Sequence, residues 1–269
     1  APNGSVMRTH PIGIIGIGLS EEETWKYAVA VEWTTHVDPR CSVAYCISTG
    51  LIRSIRRGEI VNEDDVDDVI ERAYNFVASY PDILNPGSKS NPSYDEMGQL
   101  LNRDEFDAHL YAGSLADLKL DKVSKIGYVY KCIGSAVLLL RFCIRGAQVT
   151  IIPSKPLFEE LITNLIMEGG DADTNGAVAG AIIGTYLGYA NIPPHWALGL
   201  AHNDWFNWKI LRLTKALEVI YGEIRRENDE SIDGGRRQYS RESLGLADRA
   251  TDGAFVEQVH QQNLLLSAS

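Results

Sequence analysis

Glycine recurs at every fourth position of one segment, and this spacing constrains the fold more than any other feature of the chain. The residues are Gly176, Gly180, Gly184 and Gly188. Residues four apart share one face of an α-helix. Each interior glycine costs a helix roughly 1 kcal/mol relative to alanine, so we expect compensation from the close approach of neighbouring backbones. The segment therefore predicts a central, tightly packed helix.

Helical periodicity extends over most of the remaining chain. Apolar residues recur at three- and four-residue steps in the segments 21–33, 41–57, 64–79, 125–145 and 156–167. Within 81–120, prolines and glycines interrupt the pattern, so a loop followed by one or two short helices is expected there. Only 149–152 is strand-like. The sequence therefore predicts an all-α, multi-helix fold.

The character of the chain changes near residue 222. From about residue 225 onward Glu, Asp, Arg, Gly and Ser predominate without sustained periodicity. Such a composition buries too little apolar surface to offset the entropy of ordering the chain. We expect a helical domain over 1–222 and a mobile polar tail over 223–269, in which 254–265 is a candidate for a brief helix.

Composition excludes several classes of function. Lys and Arg number 25 against 36 Asp and Glu, for a net charge of -11, which disfavours nucleic acid and suits a cation. The four cysteines form no CxxC pair and are too few for a secreted disulfide scaffold. The longest apolar run, 132–140, is far shorter than the roughly 20 residues that span a bilayer. We expect a cytoplasmic protein with no membrane partner.

Hard oxygen ligands cluster where the glycine-rich helix begins. Asp171, Asp173 and Thr174 follow two glycines, and carboxylates at i and i+2 can converge on one Mg²⁺ or Ca²⁺. The alternative is that either aspartate only caps the helix and complements its dipole. An EF-hand is excluded, because Ile182 occupies the position of the bidentate glutamate.

The same segment resembles a known family. The run GGDADTNGAVAGAIIG at 169–184 is similar to the metal motif of the ADP-ribosylglycohydrolase family, which includes the dinitrogenase-reductase-activating glycohydrolases. The segment NGSVMR at 3–8, followed by PIG at 11–13, resembles the family's NGSxMR–PIG segment. Thr35-His36 resembles its Thr-His element, and Gly127-Tyr128-Val129 is a weaker fourth match. The resemblance covers roughly residues 1–222.

The resemblance implies an all-helical domain that holds two magnesium ions beside an ADP-ribose pocket. It implies hydrolysis of an ADP-ribosyl N- or O-glycosidic bond, which removes ADP-ribose from a modified protein or a small molecule. By position Asp171 and Asp173 would be metal ligands, with Asp173 the bridge between the ions, and Thr174 would contribute its hydroxyl. No residue is assigned as catalytic.

The resemblance also implies a set of substrate-binding residues, namely Asn3, Gly4, Ser5, Met7, Arg8 and His36. The first three would lie near the phosphates or the distal ribose, and His36 would line the same pocket. Two alternatives remain open. Arg8 can instead cap a helix or form a salt bridge, and His36 can be a hydrogen-bonded core histidine.

The chain departs from the family in one respect. A GDALG-like stretch and a Thr-Asp-Asp-Thr metal motif precede the NGSxMR segment in family members, and neither is present here. Two carboxylates and one hydroxyl leave Mg²⁺ short of ligands, so we expect an N-terminally truncated domain, one ion at most and impaired turnover. The alternatives are a catalytically silent homologue with a binding or structural role, and an unrelated helical cation-binding protein.

Overall fold

A computed structural model describes residues 1–84, 100–147 and 156–218. Three of the sequence predictions fall outside these residues: the strand-like run 149–152, the polar tail 223–269 and the brief helix at 254–265. The predicted domain boundary at residue 222 lies outside them as well.

The described residues are helical, and none of them lies in a strand. The helices are α1 (His10–Ile15), α2 (Glu21–Glu32), α3 (Pro39–Arg56), α4 (Glu63–Ser79), α5 (Pro81–Leu84), α6 (Arg103–Leu110), α7 (Leu115–Leu118), α8 (Val129–Ala147), α9 (Leu157–Met167), α10 (Ala172–Leu187), α11 (Pro194–Ala197) and α12 (Asn203–Ala216). Short 3-10 turns occur at Asn3–Arg8, Gly16–Gly18, Val123–Lys125 and Tyr189–Asn191. The all-α class is confirmed.

Helix α3 is the centre of the core. Every residue from Cys41 to Ser54 is buried, and α3 packs against α1, α2, α4, α8 and α10. Its first turn is capped by Asp38, whose carboxylate accepts a hydrogen bond from the backbone N–H of Arg40. The chain leaves the helix at Gly58, whose positive φ of 71° is the left-handed conformation that glycine adopts without strain.

The glycine-rich helix α10 is packed as expected, but not for the expected reason. It packs on α8, α9 and α3. A Cβ added to Gly176 or Gly180 would lie 3.9 Å from the nearest side-chain atoms of α9, which is ordinary van der Waals contact. The glycine face is half-buried. The atoms that lie against it belong to large side chains of α9, Ile162 and Phe158 among them, and not to a neighbouring backbone. The prediction that these glycines permit close backbone approach is therefore wrong.

Close backbone contacts occur at other glycines. A Cβ on Gly134 of α8 would lie 2.4 Å from the carbonyl oxygen of His109, and one on Gly170 would lie 2.3 Å from that of Leu120. Gly170 also has a positive φ of 73°. These two glycines hold α8 against α6 and set the chain direction just before α10.

The chain divides into two compact units, residues 1–193 and the residues from Pro194 onward. The first unit contains every predicted site residue. The second contains α11 and α12. Among the described residues, no helix combines the length and the apolar character needed to cross a bilayer.

Candidate functional site

The start of α10 is shaped by two consecutive glycines with left-handed backbone. Gly169 and Gly170 have φ of 72° and 73°, and they turn the chain from α9 into α10. Asp171 follows at the N-cap position, but its side chain makes no capping hydrogen bond. Its carboxylate is therefore directed to another partner.

That partner is Asn3, which comes from the opposite end of the first unit's sequence. Asn3 Nδ2 donates to Asp171 Oδ2 at 2.7 Å, across 168 positions of the chain. The backbone N–H of Asn3 donates to the carbonyl of Gly127 at 2.9 Å. A Cβ on Gly127 would lie 3.4 Å from Asn3 Oδ1 and 3.6 Å from Asp171 Oδ2. The amide of Asn3 thus joins three separate motifs at one point.

The two aspartates lie side by side. The pKa of Asp173 is lowered from its ordinary value, first by a side-chain hydrogen bond with Asp171 and then by a hydrogen bond from the backbone N–H of Thr174. The distance from that N–H nitrogen to Asp173 Oδ1 is 2.8 Å. Asp173 is exposed and Asp171 is half-buried. Neighbouring carboxyl oxygens of this kind are ligands that a hard divalent cation prefers.

Thr174 and Met7 extend the site toward the N-terminal turn. The Thr174 hydroxyl is nearly buried and donates to Met7 Sδ at 3.7 Å. Met7 itself is 44% exposed. The turn Asn3–Arg8 therefore touches both the carboxylate and the hydroxyl of the predicted metal motif.

A second group of predicted residues lies at the end of α2. The Arg8 guanidinium donates to the Thr35 hydroxyl, and that hydroxyl lies 2.8 Å from His36 Nδ1. A Cβ on Gly4 would lie 3.7 Å from His36 Nε2. The pKa of His36 is lowered, first by burial and then by the positive charge of Arg8. At neutral pH His36 is therefore uncharged.

Ser5 differs from the other predicted residues. Its side chain is fully buried, and its hydroxyl donates to the carbonyl of Pro2 at 3.1 Å. The hydroxyl is thus used within the turn itself. A substrate contact by Ser5, as predicted, would therefore use its backbone atoms.

A family model described as ADP-ribosylglycohydrolase matches residues 1–227 of this chain. The chain belongs to the ADP-ribosylglycohydrolase family. No curated protein and no solved structure matches it. The match confirms the family predicted from the Asp-rich glycine segment, and the family acts on ADP-ribose linkages.

The residues at the start of α10 offer part of a donor set for a hard divalent cation. Asp171 and Asp173 supply carboxylates and Thr174 a hydroxyl, which are the ligand types that Mg²⁺ prefers. Within 1–84, 100–147 and 156–218, no group of three or more His, Cys, Asp or Glu side chains is placed to hold a metal. The two carboxylates and the hydroxyl would fill only part of the six-oxygen shell that Mg²⁺ prefers.

Sequence reasoning missed one residue next to this site, Glu32. Glu32 is fully buried; one of its oxygens accepts from Ser42 at 2.7 Å and the other has no partner. A signal was present, because Glu32 shares the helical face of Trp25 and Val29, which predicts burial. The sequence prediction includes Thr35 in the Thr-His element, but no local pattern marks it as the link between Arg8 and His36.

Proposed function

We propose that this chain binds ADP-ribosylated substrates and, with Mg²⁺, hydrolyses their ADP-ribosyl N- or O-glycosidic bond. The observation that carries the proposal is the hydrogen bond from Asn3 Nδ2 to Asp171 Oδ2. It unites the N-terminal NGSVMR turn with the aspartate motif, although the two are far apart in sequence. A shared site explains why both segments resemble the same family.

In this proposal Asp171, Asp173 and Thr174 hold one Mg²⁺. Such an ion orients ribose hydroxyls and water and stabilises charge that develops as the glycosidic bond breaks. The chain's own contribution is orientation. The buried Asn3 donates to the Asp171 carboxylate, and the backbone N–H of Thr174 donates to that of Asp173.

The substrate would lie over the NGSVMR turn. Gly4 leaves open the space beside His36 Nε2, so a ligand oxygen can approach both the turn and the imidazole. Met7 is exposed next to Thr174 and would contact the same ligand. These positions suit an elongated ligand that reaches from the aspartates to the end of α2.

We further propose that turnover by this chain is slow. Mg²⁺ prefers six oxygen ligands, and water filling the open positions leaves fewer fixed charges to retain the ion. A second ion would have fewer protein ligands still. A catalytically silent homologue with a binding role is the second candidate, because two carboxylates and one hydroxyl would supply only part of the six-oxygen shell of Mg²⁺.

Release of ADP-ribose from arginine- and serine-linked peptides tests the proposal, with chromatography as the readout and Mg²⁺ or EDTA present. We expect slow hydrolysis in Mg²⁺ and at least a tenfold loss in Asp171→Asn and Asp173→Asn. The exposed Asp68 of α4 supplies the matched control, Asp68→Asn, which should retain the parental rate.

The outcomes separate the candidates. Equal rates in Mg²⁺ and EDTA would contradict the metal role. Calorimetric binding of ADP-ribose without hydrolysis under any condition would favour the silent homologue. A chain that neither binds nor hydrolyses would contradict both candidates.

A further inference from the structure

Three side chains at the edge of the site form a continuous hydrogen-bonded series. Arg8 donates from its guanidinium to Thr35 Oγ1, and Thr35 Oγ1 lies 2.8 Å from His36 Nδ1. Arg8 and Thr35 are both exposed, and His36 is half-buried. The family resemblance groups Arg8 with the substrate contacts, yet here its guanidinium is bonded to the protein itself.

The direction of each hydrogen bond is assigned from the number of protons and from the contact distances. Arginine has only donors, so Thr35 Oγ1 must accept from Arg8. The single hydroxyl proton of Thr35 is then free to point elsewhere. Its candidates are His36 Nδ1 at 2.8 Å and the carbonyl of Glu32 at 3.4 Å, and the shorter contact is the stronger. Thr35 Oγ1 has a second lone pair, so the proton count alone leaves Nδ1 either role. The shorter distance assigns the hydroxyl proton to Nδ1, which then accepts.

An accepting Nδ1 determines the tautomer of the ring. A neutral imidazole carries one proton, so the proton of His36 must reside on Nε2. Nε2 faces Gly4, where a Cβ would lie 3.7 Å away. The ring thus presents an N–H donor to the space that this glycine leaves open.

We infer that Arg8 and Thr35 are positioning residues that hold His36 as the Nε2–H tautomer, so that the ring donates to a ligand oxygen over Gly4. The ligand part rests on the proposed function, in which that oxygen belongs to the ADP-ribosyl group. The tautomer does not depend on it. Arg8 then acts through Thr35 and makes no direct substrate contact.

Nitrogen-15 NMR of the histidine rings tests the tautomer directly, with His36→Gln used to assign the His36 signals. At pH 7.5 we expect His36 to be neutral with the proton on Nε2. Thr35→Val keeps the shape but loses the hydroxyl, and it should give a mixture of tautomers. Thr35→Ser keeps the hydroxyl and should give the parental spectrum. Arg8→Met should also give a mixture, because the oxygen lone pair that Arg8 occupied is then free to accept from an Nδ1–H.

A proton on Nδ1 in the parental chain would overturn the inference, and so would an unchanged His36 spectrum in Thr35→Val. The parental spectrum alone decides the case if that variant fails to fold. Calorimetry with ADP-ribose is the second measurement. Loss of one oriented hydrogen bond should lower the affinity of Thr35→Val for ADP-ribose about fivefold to tenfold. An Nε2–H tautomer without any ADP-ribose binding would support the positioning role and contradict the proposed function.

Discussion

Glu32 shows at the residue scale how burial controls a charge beside the site. The side chain is fully buried at the end of α2. Burial raises its pKa from 4.5 to about 8, while the hydrogen bond from Ser42 and the charge of Arg8 act in the opposite direction. The carboxyl is therefore mainly protonated at neutral pH.

This pKa predicts a specific pH dependence of stability. The folded form holds its proton up to about pH 8, whereas the unfolded chain releases it near pH 4.5. Below pH 4.5 the carboxyl is neutral in both states and does not lower the free energy of unfolding. As pH rises toward 8 the unfolded chain alone is ionised, and the free energy of unfolding falls. Gln does not titrate, so the free energy of unfolding of Glu32→Gln should rise relative to that of the parental chain by about 3 to 5 kcal/mol as pH goes from 4.5 to 8.

Urea unfolding of both chains across this range measures the difference. His10 has a pKa lowered to about 4 by burial and contributes the opposite slope at acid pH. Both chains carry His10, so its contribution cancels in the comparison. A constant difference across the range would show that Glu32 is ionised in the fold.

Asn3 carries the second residue-scale prediction. Its amide orients Asp171, and removal of such an outer partner typically costs a metal site tenfold or more in affinity. We expect Asn3→Ala to bind Mn²⁺ about tenfold more weakly by electron paramagnetic resonance. Thr9→Val removes a nearby buried hydroxyl that donates to the Val6 carbonyl, and it serves as the control. Equal affinity of both variants would argue against an orienting role.

At the scale of elements, glycine has different roles in α8 and α10. A Cβ on Gly134 would collide with the carbonyl of His109, which neither helix can move cheaply. A Cβ on Gly180 would meet only the flexible ends of Ile162 and Phe158. The same residue type is therefore a packing requirement in one helix and a propensity cost in the other.

We expect Gly134→Ala to destabilise the fold by about 1–3 kcal/mol through overpacking. Gly180→Ala should stabilise it by about 0.5–1 kcal/mol, since alanine is the better helix former. Denaturant unfolding of the two variants against the parental chain measures both changes. Destabilisation by Gly180→Ala would restore the close-approach explanation of the glycine spacing.

At the scale of the whole molecule, the family match ends at residue 227. The residues beyond it carry the polar, aperiodic composition from which a mobile tail is predicted. We expect a chain of residues 1–227 to keep the melting temperature and the ADP-ribose affinity of the full chain. A drop of several degrees on shortening would show that the last residues pack against the helical domain.

Local sequence was sufficient for the class of fold and for most helices. Ser20 and Asn62 each cap a helix through their own side chains, and the helices they begin end within a residue of the predicted positions. The predicted helix 125–145 starts late, at Val129, because Val123–Lys125 forms a separate 3-10 turn. Caps and periodicity depend on residues a few positions apart, so they can be predicted from the sequence alone.

The arrangement of the site required the packed molecule. No local rule brings Asn3 to Asp171, links Arg8 to His36 through Thr35, or selects Gly134 over Gly180 as the close contact. The family resemblance identified the motifs, and the fold then assigned a partner to each side chain. Such contacts join residues far apart in the chain, and they depend on how whole helices pack around α3 rather than on the preferences of any one segment.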